Sequence, residues 1–322
     1  MPVLSTPVQL SPAQKLYTHQ NYFLTLGSCF AQVMGRQLHD GKFKALNNPF
    51  GTLFNPLSIH SVLRAATQND ITEVWAPIER QGVWFNYHMH SELWAESEEA
   101  LKQICEAKIS EVHDFLSETD LLILTWGSAF VYELNESKRT VANCHRMPSD
   151  LFTRRMLSVE EIKKDFTSTL LQLQKQFAKL KIILTISPVR HTRDTLALNN
   201  VSKSTLRLAA HELSESNSTI QYFPAYEIMM DELRDYRFYK SDMIHPSEVA
   251  EEYIWEQWRK NWISSEAETL YQQWKAVQRA LQHRPLRADT PEHIHFKQKT
   301  IQQLQTLSDR LDVSKEINEL YS

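Results

Sequence analysis

The chain alternates short, continuous apolar runs with stretches whose apolar positions recur at helical spacing. Residues 22–26 are apolar and β-prone and stop at Gly27. Phe30, Val33, Met34 and Leu38 then fall on one helical face, so the first unit reads strand, tight turn, helix. A short strand is predicted over 42–47, and Asn55-Pro56 forms an N-cap with proline at the first helical position, opening a helix to about Ala66. Residues 71–96 are aromatic-rich and irregular and read as an insertion over the core; a helix is predicted over 97–117. Residues 121–126 are a buried strand ending at Gly127, and 128–157 form an excursion of hairpin and loops. Ser158 and Glu161 make a capping box before a helix with Ile162, Phe166, Leu170, Leu173 and Phe177 on one face. Strands at 181–186 and 220–223 flank a helix over 202–216, and 225–244 is irregular. Pro246 is expected to open a long helix carrying Trp255, Trp258 and Trp262, which read as core.

Strands without internal alternation, separated by helices, predict an α/β fold: a parallel sheet with helices on both faces in three layers. The expected division is 1–265 for this domain and 266–322 for a polar, Gln-rich helical extension that reads as a packing arm or partner surface. Ligands in such folds bind at the carboxyl ends of the strands. The turns at 27–29, 48–51, 127–128 and 187–191 would share that edge.

Glycine changes the picture, because the chain has only 6 in 322 residues against a usual share of about 7%. Gly27, Gly51 and Gly127 all follow predicted strands. The formal net charge of −4 argues against a nucleic-acid binder. Three scattered cysteines, Cys29, Cys105 and Cys144, suit neither a disulfide framework nor a thiolate metal site, and their odd number points to a reducing compartment. No apolar run reaches membrane-span length, and the first fourteen residues lack the pattern of a signal peptide, so the expected location is the cytoplasm.

Two short motifs carry the candidate chemistry. In Gly27-Ser28-Cys29 a small nucleophilic side chain follows a strand at the start of a helix, where backbone N–H groups and the helix dipole favour an anion and lower a thiol's pKa. A helix-capping serine beside a buried cysteine is the plain alternative. In Asp242-Met243-Ile244-His245-Pro246 the carboxylate can take the imidazole Nδ1–H within one turn, leaving Nε2 as a base.

A nucleophile after the first strand and Asp-x-x-His after the last resembles the SGNH/GDSL hydrolase superfamily. The closer resemblance is to the GSCFA family, on Gly27-Ser28-Cys29-Phe30-Ala31, Asn48-Pro49-Phe50-Gly51 with Phe54-Asn55-Pro56, Ala142-Asn143-Cys144-His145, Ser187-Pro188-Val189-Arg190-His191 and Tyr222-Phe223-Pro224-Ala225-Tyr226-Glu227, across roughly residues 20–260. The resemblance implies an SGNH/flavodoxin-like sheet, His245 as general base, Asp242 as its orienter and the Gly51 N–H as an oxyanion donor. Aligned by the strand end, Cys29 takes the nucleophile position; aligned by residue type, Ser28 does. Turn geometry favours Cys29. The superfamily's third-block Asn is replaced by Gly127-Ser128-Ala129, so Ser128 or Asn48 would have to substitute.

Arg190, His191, His145 and His90 are candidate substrate contacts, Arg190 as a positive group for a phosphate or carboxylate. His88 and His90 form a His-x-His pair without an acidic partner, which makes a metal site the weaker reading. The expectation is therefore an esterase or acyl hydrolase on O-acyl esters, carbohydrate esters among them, needing no cofactor. Acyl transfer to a glycan precursor from an activated donor, and a weakly catalytic binding protein of the same fold, are the alternatives. Expected partners are a small-molecule or carbohydrate ester, no nucleic acid and no membrane, with homo-oligomer formation through the C-terminal helices left open.

Overall fold

A computed structural model describes residues 6–193, 195–282 and 290–321, so the first five residues of the N-terminal stretch read above lie outside it. In chain order, β1 (Tyr22–Gly27), α1 (Cys29–Asp40), β2 (Lys44–Asn47) and α2 (Pro56–Gln68) lead into three short strands, β3 (Pro77–Arg80), β4 (Val83–Asn86) and β5 (Trp94–Ala95). Next come α3 (Glu98–Glu118), β6 (Thr119–Trp126), β7 (Phe130–Leu134), β8 (Thr140–Val141), β9 (Phe152–Met156), α4 (Val159–Gln176), β10 (Lys181–Ile186), α5 (Leu196–Ser216) and β11 (Ile220–Phe223). The turn α6 (Ala225–Glu227) runs into a π turn, and α7 (Glu248–Trp262), α8 (Ser265–Leu281), α9 (Pro291–Leu307) and α10 (Ser314–Tyr321) complete the chain.

The central sheet has five parallel strands in the order β11-β10-β6-β1-β2. Neighbouring residues of each strand point to opposite sides, and both sides are buried. Leu24, Leu26, Leu122, Leu124, Ile182 and Leu184 join the cluster built with α2 to α5. Phe23, Leu121, Ile123 and Ile183 join the opposite cluster, built with α1, α7 and part of α8. That two-sided burial is why these strands read as unbroken apolar runs. The chain reverses its direction of travel across the sheet between β1 and β6. Ligands in doubly wound sheets settle in the crevice opened there at the carboxyl ends.

Three expectations shift. Residues 71–96 are ordered as an antiparallel sheet, β3-β4-β5. Its hairpin closes on Gln81 (φ 55°) and Gly82 (φ 77°), two positive values that suit the right-handed twist of the strands. The excursion over 128–157 is a second antiparallel sheet, β8-β7-β9. The long helix starts at Glu248 rather than Pro246, because Ser247 is the N-cap and accepts from Ala250 N. The Asn55 cap with Pro56 behind it and the Ser158–Glu161 capping box form as the sequence predicts.

The last three helices enclose their own small cluster of Leu270, Trp274, Val277, Leu304, Leu307, Leu311 and Val313, while Ala267 and Tyr271 of α8 reach the main core. The Lys42–Glu316 ion pair, at 2.7 Å, ties α10 to the loop before β2. Among the described residues no helix is long and apolar enough to cross a membrane.

Candidate active site

β1 ends against the backbone of β6. A Cβ on Gly27 (φ +137°) would lie 2.2 Å from the Thr125 carbonyl oxygen, so only glycine fits this approach. The Ser28 N–H donates to that carbonyl at 3.0 Å. Ser28 is fully buried, and its Oγ accepts from Phe30 N at 3.3 Å as the cap of α1. Cys29 is the first helical residue, half-buried, at the crevice between β1 and β6.

The second half of the site comes from the loop ahead of α7. The Tyr239–Pro246 bridge pins its base; Lys240 N donates to His245 O at 2.8 Å, and Arg190 N to Ile244 O at 3.2 Å. Met243 takes a left-handed conformation (φ 57°) at the tip. Asp242 Oδ1 accepts from the N–H groups of Ile244 (2.8 Å) and His245 (3.0 Å), and Oδ2 meets His245 Nδ1 at 2.7 Å. These bonds hold the Asp242 carboxyl down to about 2, the backbone bond from His245 contributing most. A carboxylate accepts only, so Nδ1 carries the proton and Nε2 is left as an acceptor.

Cys29 and His245 line one cavity of about 160 Å³, with Val189 and Pro246 as apolar walls. Ser28 is not part of it. At its rim Arg36 Nη2 (2.7 Å) and Lys240 Nζ (3.3 Å) both pair with the buried Glu251 carboxylate, leaving two cations against one anion.

The profile of the GSCFA family matches residues 22–258, which is most of the chain. The protein belongs to the GSCFA family. A second profile, that of the GSCFA domain protein C-terminal domain, matches residues 274–322. No curated protein sequence matches the chain. Among solved structures it is similar to a carbohydrate esterase family 3 protein from Talaromyces cellulolyticus, with 9% identity, coverage of 80% of this chain and 99% of that one, and a TM-score of 0.35. It is also similar to the acetyl xylan esterase Est2A from the rumen bacterium Butyrivibrio proteoclasticus, with 14% identity, coverage of 77% and 64%, and a TM-score of 0.35.

Several residues expected to serve the site are already committed. The Gly51 N–H, expected to face an oxyanion, donates to Asn48 O at 2.8 Å; a Cβ on Gly51 (φ +72°) would meet His90 Cβ at 2.4 Å. The Asn48 amide, the other expected substitute donor, is held on Gly27, accepting from its N (2.9 Å) and donating to its O (3.3 Å). Ser128 Oγ accepts from Phe130 N at 3.1 Å and lies 3.4 Å from Ser202 Oγ. All three stabilise the crevice walls. The N–H groups of Cys29 and Phe30 are the ones that face the thiol.

The other predicted contacts separate. Arg190 stacks its guanidinium over Tyr239 (4.0 Å) and Tyr236 (5.2 Å) in a neighbouring cavity, which leaves Val189 beside Cys29. His191 lies behind Gly127, its Nε2 without a hydrogen-bond partner among the described residues. Burial, with the neighbouring Lys203 charge, pushes His191 down to about 3. His145 is buried with Nε2 on Asn86 O at 2.8 Å, and His90 lies beside Gly51 with Nδ1 3.5 Å from Glu92. Among the described residues no group of three or more His, Cys, Asp or Glu side chains is placed to hold a metal ion. His88 and His245 line different cavities.

Electrostatics corrects the expectation for the thiol. Burial pushes Cys29 up; the Lys203 charge and the local N–H groups pull the other way without overcoming it. Lys203 itself escaped sequence reading. It is fully buried, and its ammonium donates to the carbonyls of Gly127 and Ser187, each at 2.7 Å, tying the ends of β6 and β10 together. Burial pushes it down to about 7, with Cys29 as the opposing influence. The signal was present: Lys203 sits on the stripe of Asn199, Ser202, Leu206, Ala210 and Leu213 that α5 turns inward, where an unpaired lysine is rarely found.

Proposed function

We propose that this GSCFA protein is an ester-cleaving or acyl-transferring enzyme with Cys29 as nucleophile. What carries the reading is one juxtaposition: Cys29 and a histidine already oriented by a carboxylate line the same small cavity at the crevice of the sheet, while Ser28 is spent as a helix cap. His245 Nε2 takes the thiol proton as sulfur attacks the acyl carbonyl. The developing oxyanion is met by the Cys29 N–H and by the positive potential of Lys203. Collapse expels the alkoxide, which recovers the proton from His245 and leaves an acyl thioester. Water or a second alcohol then takes the acyl group by the reverse sequence. The cavity volume suits a short acyl chain, and the SGNH-like order of motifs supports ester chemistry.

One observation favours a second reading, a binding protein of the same fold with little turnover: Gly51, Asn48 and Ser128 are all engaged in wall contacts rather than aimed at a reacting oxygen. Brief exposure to p-nitrophenyl acetate, followed by intact-mass measurement and peptide mapping, separates the two. A single acetyl group on Cys29 that needs His245 supports the enzyme. An adduct on Ser28 reverses the assignment of the nucleophile. Absence of both an adduct and ester turnover favours the binding protein.

A further inference from the structure

The largest of the described cavities, about 600 Å³, lies outside the Cys29 site, between the β3-β4-β5 sheet and the loop holding Asn143 and His145. That volume is in the range of sites for small organic ligands. Its chemistry is distinctive. Arg80 and Arg146 both line it, and neither guanidinium has an ion-pair, hydrogen-bond or ring partner among the described residues. Trp94 lines it with 49% of its surface exposed, on a strand of only two residues. Arg146 is carried by two consecutive left-handed residues, His145 (φ 48°) and Arg146 (φ 56°), a costly backbone for side chains of this size. The conformation is fixed from beneath: Asn143 Oδ1 accepts from His145 N at 2.8 Å, and the His145 ring is anchored on Asn86 O and stacked on Phe85 at 4.9 Å.

We propose that this cavity binds an acidic sugar, with the sugar ring on the Trp94 indole and its carboxylate or phosphate on Arg80 and Arg146. Guanidinium groups pair with either acid through charge-assisted hydrogen bonds. Trp94 is the exposed aromatic of the lining, while His145 already stacks on Phe85; an exposed indole suits the apolar face of a sugar. Asn143 and Ser91, linked to each other at 2.9 Å, keep further hydrogen-bonding capacity for ring hydroxyls. The cavity is coupled to the sheet edge, since His90, next to Ser91, donates its N–H to Phe50 O at 3.3 Å and lies against Gly51. The proposal stands apart from the acyl chemistry and is tested without turnover.

The test is calorimetric titration of the full chain with glucuronate, glucose 6-phosphate, glucose and inorganic phosphate, repeated on Arg80→Ala/Arg146→Ala and on Trp94→Ala. At least one acidic sugar should bind on the order of tenfold more tightly than both glucose and inorganic phosphate, and each variant should lose on the order of tenfold or more. Both variants alter rim side chains, and a thermal melt matching the parent checks that the fold persists. Glucuronate binding without glucose 6-phosphate binding, or the reverse, identifies the acid and upholds the proposal. Phosphate binding as tightly as the sugar phosphate would show a bare anion site and overturn it. Undiminished binding in the variants, or no binding of either acidic sugar at millimolar concentration, would also overturn it.

Discussion

Two histidine–carboxylate pairs in this molecule have the same geometry and opposite surroundings. His245 Nδ1 lies 2.7 Å from Asp242, and His60 Nδ1 lies 2.7 Å from Asp165. The His60 ring is wholly buried against Trp126 and Phe166, its Nε2 has no partner, and Arg64 also binds Asp165 at 3.1 Å. The His245 and Asp242 side chains are 43% and 45% exposed, and His245 lines the same cavity as Cys29. An oriented imidazole is therefore not a site by itself. What separates the pairs is their surroundings: packed aromatic rings in one case, a cavity that a half-buried thiol also lines in the other. The first pair belongs to folding energetics, and the second is the one we propose for chemistry.

Substitutions can break that contrast. The largest effect is expected from Cys29→Ala, which should abolish site-specific acylation by p-nitrophenyl acetate in a mass measurement. His245→Ala should slow Cys29 acylation on the order of 10²–10⁴-fold, and His60→Ala should leave the rate of the folded protein unchanged; stopped-flow ester kinetics reads both. Asp242→Asn should cost up to about 10⁴-fold, since the amide no longer enforces the Nδ1–H tautomer. In urea titrations the order reverses: His60→Ala should lose about 3 kcal/mol by opening a void against Trp126 and Phe166, whereas the exposed Asp242–His245 pair should cost little.

The smallest effect is a pH slope. Burial holds His88 down at about 4 in the folded chain, against 6.5 for a free imidazole. Below pH 6.5 the unfolded chain binds a proton that the folded chain refuses, so stability falls as pH drops from 6.5 towards 4. The slope is about 1.4 kcal/mol per pH unit for one such group. His88→Gln should remove that share of the slope, measured as urea stability at pH 6.5 and pH 5.

The same contrast shows what the sequence could reveal. Apolar runs buried on both sides made the three central strands β1, β6 and β10 readable, and Asn55-Pro56 and Ser158–Glu161 marked their helix starts outright. The short antiparallel sheets were harder, because their partly exposed strands depend on pairing rather than on a continuous apolar run; only Gln81-Gly82 hinted at the hairpin. Cys29, Asp242 and His245 were legible because local spacing fixes each motif, and the shared cavity follows from the strand order. The engagement of Gly51, Asn48 and Ser128 was not legible, since it depends on which distant carbonyl each group meets. Lys203 could have been found as a charge on an inward stripe, but its two carbonyl partners come from β6 and β10, far apart in the chain.

The three tryptophans of α7 lie almost parallel in a row, Trp255 to Trp258 at 5.0 Å and 11° and Trp258 to Trp262 at 6.0 Å and 17°. Their ultraviolet transition dipoles are close enough to couple, so the row should absorb circularly polarised light as one chromophore. Because α7 begins three residues after His245, that coupled dichroic band is a built-in optical gauge of whether the helix behind the histidine loop is seated.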